Sequence, residues 1–244
     1  MRKMVGALVA ALVVAGCGGT ASSAKPDTQA PASVAPATQT PAAPTVAAVR
    51  DFNDGPITAG TYSFLDGLGT FDIPSGWEGC CNQFGVLKSD YAALLFEDIT
   101  DVIVYADSCK WKAGPNPEPT GAEATAAAFS AQGGHQGTEP EAITVGGLAG
   151  WRVRLTVPAD QPTTMVDADD RAFTGCDDGQ FASWGLKSGG GEPSRYQQGP
   201  SQIDTLYIVD VGDRTIVFDM VSGPDIAASD QAELDAMLAS VAFD

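Results

Sequence analysis

Five cysteines and one histidine carry the most distinctive chemistry in this chain. A serine or cysteine hydrolase needs an imidazole beside its nucleophile. His135 lies in Gly133-Gly134-His135-Gln136-Gly137, and no G-x-S-x-G occurs anywhere. A histidine in such a glycine-rich stretch reads as a solvated surface residue. A structural zinc site needs clustered ligands, and there is no C-x-x-C. Lys187-Ser188 lacks the preceding glycine of a phosphate-binding loop. Asp167-Ala168-Asp169-Asp170 invites a calcium reading. An EF-hand loop, however, would put Ala172 where glycine is needed and Asp178 where glutamate is needed. Glycosidases use paired carboxylates, but so acidic a chain supplies pairs by chance. The expectation is a protein with no catalytic residues, no metal and no cofactor.

Cys17 is the cysteine with the clearest role. Arg2 and Lys3 form a basic start, and Met4 to Gly16 is uncharged and apolar. That run has the length of a signal-peptide core and is too short to span a bilayer. Small residues, Ala15 and Gly16, precede the cysteine, where a peptidase needs close access to the backbone. The pattern resembles the bacterial lipoprotein box, which implies cleavage before Cys17 and lipidation of its thiol. One acyl chain holds a protein weakly; lipoproteins of this kind carry two or three. The expected location is the extracytoplasmic face of the cell membrane, with the lipid anchor as the membrane partner.

Residues 17–50 read as the lipidated cysteine plus a disordered linker. Prolines at 26, 31, 36, 41 and 44 stand among Ala, Thr, Ser and Gln. Such a composition cannot build a core. About thirty residues in polyproline II reach roughly 90 Å. From Asp51 onward there are 30 acids and 9 bases, a net charge of −21. A field of that sign repels phosphate backbones, so nucleic acid is excluded as a partner.

Residues 51–244 form one domain by length and by the lack of a second linker. Strand patterns cover 61–64 and 70–73 around Asp66-Gly67-Leu68-Gly69, then 84–88, 92–96 and 102–105. Thr120 and Glu123 look like a capping box opening a helix to about Gln132. Residues 143–145 and 150–157 read as a hairpin across Gly146-Gly147. Trp151, Val153, Leu155 and Val157 alternate there with Arg152, Arg154 and Thr156. A strand over 181–186 follows, then residues 185–198 as a long surface loop. Residues 205–211 and 215–221 form the clearest hairpin, with Gly212 suiting the first position of a type II′ turn. Ser229 reads as the cap of a last helix over about 230–241. Leu234, Met237, Leu238 and Val241 form its buried stripe. The fold class is α+β: an antiparallel sheet with about two main helices packed on it.

Outside a bacterial cytoplasm thiols tend to pair. With Cys17 lipidated, Cys80, Cys81, Cys109 and Cys176 remain, and four cysteines allow three pairings. The preferred one is Cys109–Cys176, each beside a strand. Cys80 and Cys81 then pair as neighbours or stay free, and a crossed arrangement is the alternative.

Several stretches resemble a group of exported actinobacterial lipoproteins. They are Phe71-Asp72-Ile73-Pro74-Ser75-Gly76-Trp77, Val104-Tyr105-Ala106-Asp107-Ser108-Cys109-Lys110-Trp111, and Cys176-Asp177-Asp178-Gly179-Gln180-Phe181-Ala182-Ser183-Trp184. Arg195-Tyr196-Gln197-Gln198-Gly199-Pro200 and the hairpin after Ile203 complete the set. The resemblance implies the Cys109–Cys176 pairing and extends nothing to the Cys80-Cys81 doublet. The element order is similar to PsbP-like domains, implying a sandwich with helices on an antiparallel sheet and no catalytic residues. The expected function is a non-enzymatic binding or accessory module tethered to the membrane, its partner an envelope protein or a small ligand. Trp184, Arg195 and Tyr196, in or beside the loop, are the candidate ligand contacts. A carrier or sensor of a small lipid or glycan, and a carboxylate-based envelope hydrolase, are the alternatives.

Overall fold

The computed structural model describes residues 48–51, 53–88, 92–166 and 171–244. Cys17, the segment 1–16, all but the end of the linker and Asp167–Asp170 lie outside the described residues. Among the described residues no helix is long and apolar enough to cross a membrane.

Besides short strands at Gly55–Pro56, Gln136–Gly137, Thr163–Met165, Arg171–Phe173 and Ala242–Phe243, the strands are β1 (Gly60–Phe64), β2 (Gly69–Ile73), β3 (Glu78–Cys80), β4 (Gly85–Leu87), β5 (Ala92–Asp98) and β6 (Val102–Val104). Helix α1 (Gly121–Ser130) precedes β7 (Glu141–Val145), β8 (Leu148–Thr156), β9 (Ala182–Leu186) and β10 (Pro193–Tyr196). Then come β11 (Ile203–Val211), β12 (Arg214–Ser222) and helix α2 (Ala228–Ala239). The main sheet runs β3-β4-β5-β12-β11-β8, with β7 also on β8, and every pairing in it is antiparallel. The two helices and this sheet make the fold α+β.

The middle of the main sheet is covered on both faces. On one, Leu94, Phe96, Phe218 and Met220 pack against Tyr62, Phe64, Phe71 and Ile73 of the β1–β2 hairpin and against Leu234 and Met237 of α2. On the other, Val153, Leu155, Leu206, Ile208 and Val217 meet Ala122, Ala126 and Phe129 of α1 and Trp184 of β9. Thr215 to Ser222 of β12 are therefore buried without a break. That is why this strand reads as a nearly continuous apolar run rather than an alternating one. Its hairpin with β11 turns at Gly212, whose φ of 64° suits the first position of a type II′ turn.

Three local expectations need correction. Residues 185–198 are a hairpin, not a loop: β10 returns along β9, with Trp184 opposite Arg195. Gly190 and Gly191, at φ of 77° and 79°, supply the reversal. Thr120 makes no side-chain bond to α1. Asp210, arriving from β11, takes that place and accepts the Ala122 N–H at 3.0 and 3.1 Å through its two oxygens. Ser229 lies inside α2, whose capping position is Ala227. The cap of α1 thus comes from a distant strand, which ties the helix to the sheet. Asp210→Ala is expected to lose about 1 kcal/mol of unfolding free energy in urea, and Asp210→Asn less. Equal stability of Asp210→Ala and wild type would show that the contact does not act as a cap.

Candidate functional site

Among the described residues, one cluster of polar side chains lies in the interior and another lines an open pocket. The interior one lies where β9 and β10 cover the main sheet. Asp204 and Asp219 stand on neighbouring strands, and Asp219 pairs with Leu206, two residues from Asp204, so both project to the same face. Arg195 enters between them. Its Nε donates to Asp219 Oδ2 at 2.5 Å and its Nη2 to Asp204 Oδ2 at 2.9 Å. Gln197 Nε2 donates to Asp204 at 2.7 Å and to Ser183 Oγ at 2.5 Å, and Gln202 Nε2 reaches the other Asp204 oxygen at 2.7 Å. Trp184 Nε1 donates to Glu97 Oε2 at 2.7 Å.

One cation here faces three carboxyl groups. Burial works against the charge on Arg195, yet Asp204 and Asp219 outweigh it and hold its pKa above the ordinary arginine value. Burial raises the Asp219 carboxyl, against the pull of Arg195. Burial likewise raises Glu97, opposed by the Trp184 hydrogen bond. Trp184 is 2 % exposed and Arg195 8 %, while Tyr196, next along the strand, is 44 % exposed. The three therefore do not make one contact surface: two belong to the core, and Tyr196 alone faces solvent. The pleat of a strand sends adjacent residues to opposite sides.

His135 is not solvated either. Its Nδ1 lies 2.8 Å from Ser108 Oγ and 3.1 Å from Gln132 Oε1, and its ring meets Phe181 edge-on at 4.8 Å. Gly133 and Gly134 allow this close approach: the Gly133 N–H bonds to Ala106 O, and the Ser108 N–H bonds to Gly133 O, each at 2.9 Å. Ser108 is fully buried, so the Ser108–His135 contact has no room for a substrate. Burial pushes the His135 pKa down from 6.5 to about 4. The folded value lies below the unfolded one, so this histidine's contribution to stability is lost as pH falls from about 6.5 towards 4. Since the chain holds one histidine, its ring signals in an NMR titration are unambiguous. They are expected to stay constant from pH 8 to 5.5 and to move only near 4. A midpoint near 6.5 would mean that the ring is open to water.

The open place is a polar pocket of about 660 Å³, lined by Asp51, Asn53, Ser63, Phe64, Leu65, Asp66, Gly67 and Gln83. Two turns build it. Between β1 and β2, Leu65, Asp66 and Gly67 have φ of 47°, 58° and 82°. Between β3 and β4, Cys81, Asn82 and Gln83 have φ of 65°, 57° and 69°. Left-handed backbone costs a residue with a Cβ roughly 1 kcal/mol or more. Asp54 holds the second turn, accepting the Asn82 N–H at 3.1 Å and the Gln83 N–H at 3.2 Å. Gln83 Nε2 reaches Asn53 Oδ1 at 3.4 Å, and Ser63 Oγ donates to Asp51 at 2.5 Å. Cys80 and Cys81 are joined as neighbours at the head of that turn. Cys109 and Cys176 are joined on the far side of the sequence, with Cα atoms 4.4 Å apart. An apolar groove of about 500 Å³ lies elsewhere, between the β1–β2 hairpin and α2, lined by Ile73, Pro74 and Met237 among others.

No family model matches the chain, and no curated protein does. Among solved structures it is similar to the solution structure of cyanobacterial PsbP (CyanoP) from Synechocystis sp. PCC 6803. The identity is 14 % and the TM-score 0.37, over 77 % of this chain and 93 % of that one.

The pocket residues were missed by sequence reasoning because nothing about Leu65, Cys81 or Gln83 as residue types favours positive φ. The local signals were the Asp66-Gly67 turn, readable as a turn but not as a pocket wall, and the Cys80-Cys81 doublet. The interior network had a better signal: Asp204 and Asp219 are acids inside the apolar strands of a clear hairpin, and a buried carboxylate demands a partner.

Proposed function

We propose that this protein is a non-enzymatic binding module, held on the outer face of a membrane by lipidated Cys17, whose polar pocket takes a neutral glycan. The observation that carries this reading is the convergence of two left-handed turns on one open pocket. Leu65, Cys81 and Gln83 bear that backbone cost, with Asp66 and Asn82, which tolerate it better, beside them, and such cost concentrates where a ligand is clamped. Asn53 and Gln83 offer paired amide donors and acceptors, Ser63 a hydroxyl, and Asp51 and Asp66 carboxylate acceptors. That set suits the adjacent hydroxyls of a sugar. The domain charge of −21 disfavours phosphorylated or acidic ligands. Hydrolysis is less well supported: Glu97 and Asp219, carboxyls with raised pKa, belong to the interior network rather than to this pocket.

Titrating the full chain with a neutral oligosaccharide such as chitotetraose, followed by amide chemical shifts, tests the reading. Shifts confined to residues 51–54, 63–67 and 81–84 are expected. A full panel of neutral oligosaccharides that moves none of these amides would overturn it. The apolar groove favours a second reading, a small-lipid carrier, for which a fatty acid would instead shift 72–74 and 232–240. For the tether, Cys17→Ser is expected to move the protein from the membrane fraction to the soluble one; unchanged membrane retention would refute it.

A further inference from the structure

The two disulfides differ in what surrounds them and in what they close. Cys109 and Cys176 are 67 residues apart and pack against Val157, Phe173 and Phe181. Cys80 and Cys81 are adjacent. Cys80 is 8 % exposed, whereas Cys81 is an exposed residue at the tip of the β3–β4 turn. A cross-link between neighbours removes little freedom from the unfolded chain, while one across 67 residues removes much. Loop length acts on the unfolded chain, so what separates the two bonds in the folded protein is access: Cys81 is exposed, whereas Cys109 and Cys176 are partly buried against an apolar cluster.

We propose that Cys80–Cys81 is a thiol–disulfide exchange site on the rim of the polar pocket, taking its electrons from a dithiol of the C-x-x-C class. The outer thiolate of the dithiol attacks Cys81 Sγ, on the exposed residue of the pair. The Cys80–Cys81 bond breaks, and Cys80 leaves as a thiolate and takes up a proton. The second thiol of the dithiol, losing its proton, then attacks the mixed disulfide and releases Cys81, which is protonated in turn. Two electrons have moved: the dithiol is now a disulfide and this pair is two thiols.

The consequence follows from the turn. Closing the two-residue ring restrains the backbone between the two cysteines, at ψ of Cys80 and φ of Cys81, and so sets the entry to Asn82 and Gln83. Once the ring opens, Cys81 loses that restraint, and the run of positive φ that begins there gives way to ordinary right-handed or extended backbone. Gln83 then leaves the pocket wall and Asp54 loses its two backbone donors. Reduction thus dismantles one side of the pocket; that this lowers glycan affinity rests on the reading above.

The test is a dithiothreitol titration of the full chain with alkylation and mass spectrometry. Cys80 and Cys81 are expected to be labelled at a concentration at least tenfold below that needed for Cys109 and Cys176. In single variants of unchanged melting temperature, Cys80→Ser is expected to react with 5,5′-dithiobis(2-nitrobenzoate) at least tenfold faster than Cys81→Ser. Reduction of both pairs together, or of Cys109–Cys176 first, would overturn the proposal, as would equal reaction rates of the two variants. Binding of the same panel of neutral oligosaccharides is measured on the same samples. An oxidised chain that binds none defeats the glycan reading, while the alkylation order still decides the exchange site.

Discussion

Replacing Arg195 by methionine is expected to lower the unfolding free energy by about 3–5 kcal/mol, because two buried carboxyl groups lose their counter-charge together. For a domain of this size that is a fall of roughly 10 °C in melting temperature. Arg195→Lys is expected to recover little. The guanidinium donates from Nε to Asp219 and from Nη2 to Asp204 at once, and a single ammonium cannot span both. The loss should depend on pH. Burial already raises Asp219 in the wild type, and in the methionine variant, without the pull of Arg195, it rises further. Folding then favours the protonated carboxyl, so the variant's stability falls as pH rises from about 4 through the new folded value. The gap from wild type is therefore smaller at pH 5 than at pH 8. Adding Asp204→Asn and Asp219→Asn should restore most of the stability, since a buried pair removed whole costs far less than one partner removed. A loss under 1 kcal/mol, the same at both pH values, would mean that water reaches Arg195.

This interior network and the open pocket divide the acidic residues into two uses. Asp204 and Asp219 are enclosed and Glu97 is half-buried, and Trp184, Gln197, Gln202 and Arg195 consume much of their bonding capacity. Asp51 and Asp66 line a pocket that is open to solvent. Charge alone says nothing about which acids belong to which group. Burial does, and it points the search for a ligand away from the titratable cluster and towards the turns.

How much of this was legible in the sequence depends on the range of the forces involved. The hairpin around Gly212 and the apolar stripe of α2 are local patterns, and they were readable. Arg195 was not, because Pro193-Ser194-Arg195-Tyr196 after a triple glycine has no periodicity that marks an inner face. Only the register of β10 against β9, Trp184 opposite Arg195, buries it. The cap of α1 was misread for a related reason: Asp210 is 88 residues from Ala122. The pocket was hidden by a local conflict. Residue preferences oppose positive φ at Leu65 and Cys81, and it is the surrounding fold that imposes it.

The double variant Cys109→Ala, Cys176→Ala is expected to lose about 4 kcal/mol, against about 1 kcal/mol for Cys80→Ala, Cys81→Ala, on chain entropy alone. The folded structure around the longer bridge should survive its removal, because other contacts hold the same two segments. The Asp177 N–H donates to Cys109 O at 2.9 Å, Trp111 Nε1 to Asp177 O at 3.1 Å, and the Lys112 N–H to Asp177 Oδ2 at 3.0 Å. Phe173 and Phe181 remain packed beneath. The cost therefore falls on the unfolded chain, which gains the freedom of a loop 67 residues long. Two signatures distinguish this from damage to the native state. Amide shifts of residues 107–112 and 177–184 stay near their wild-type values outside the substituted positions. The dependence of unfolding free energy on urea steepens, because a chain without the bridge exposes more surface when it unfolds. Equal losses for the two disulfides, or an unchanged urea slope, would show that loop length is not what makes the longer bridge stabilising.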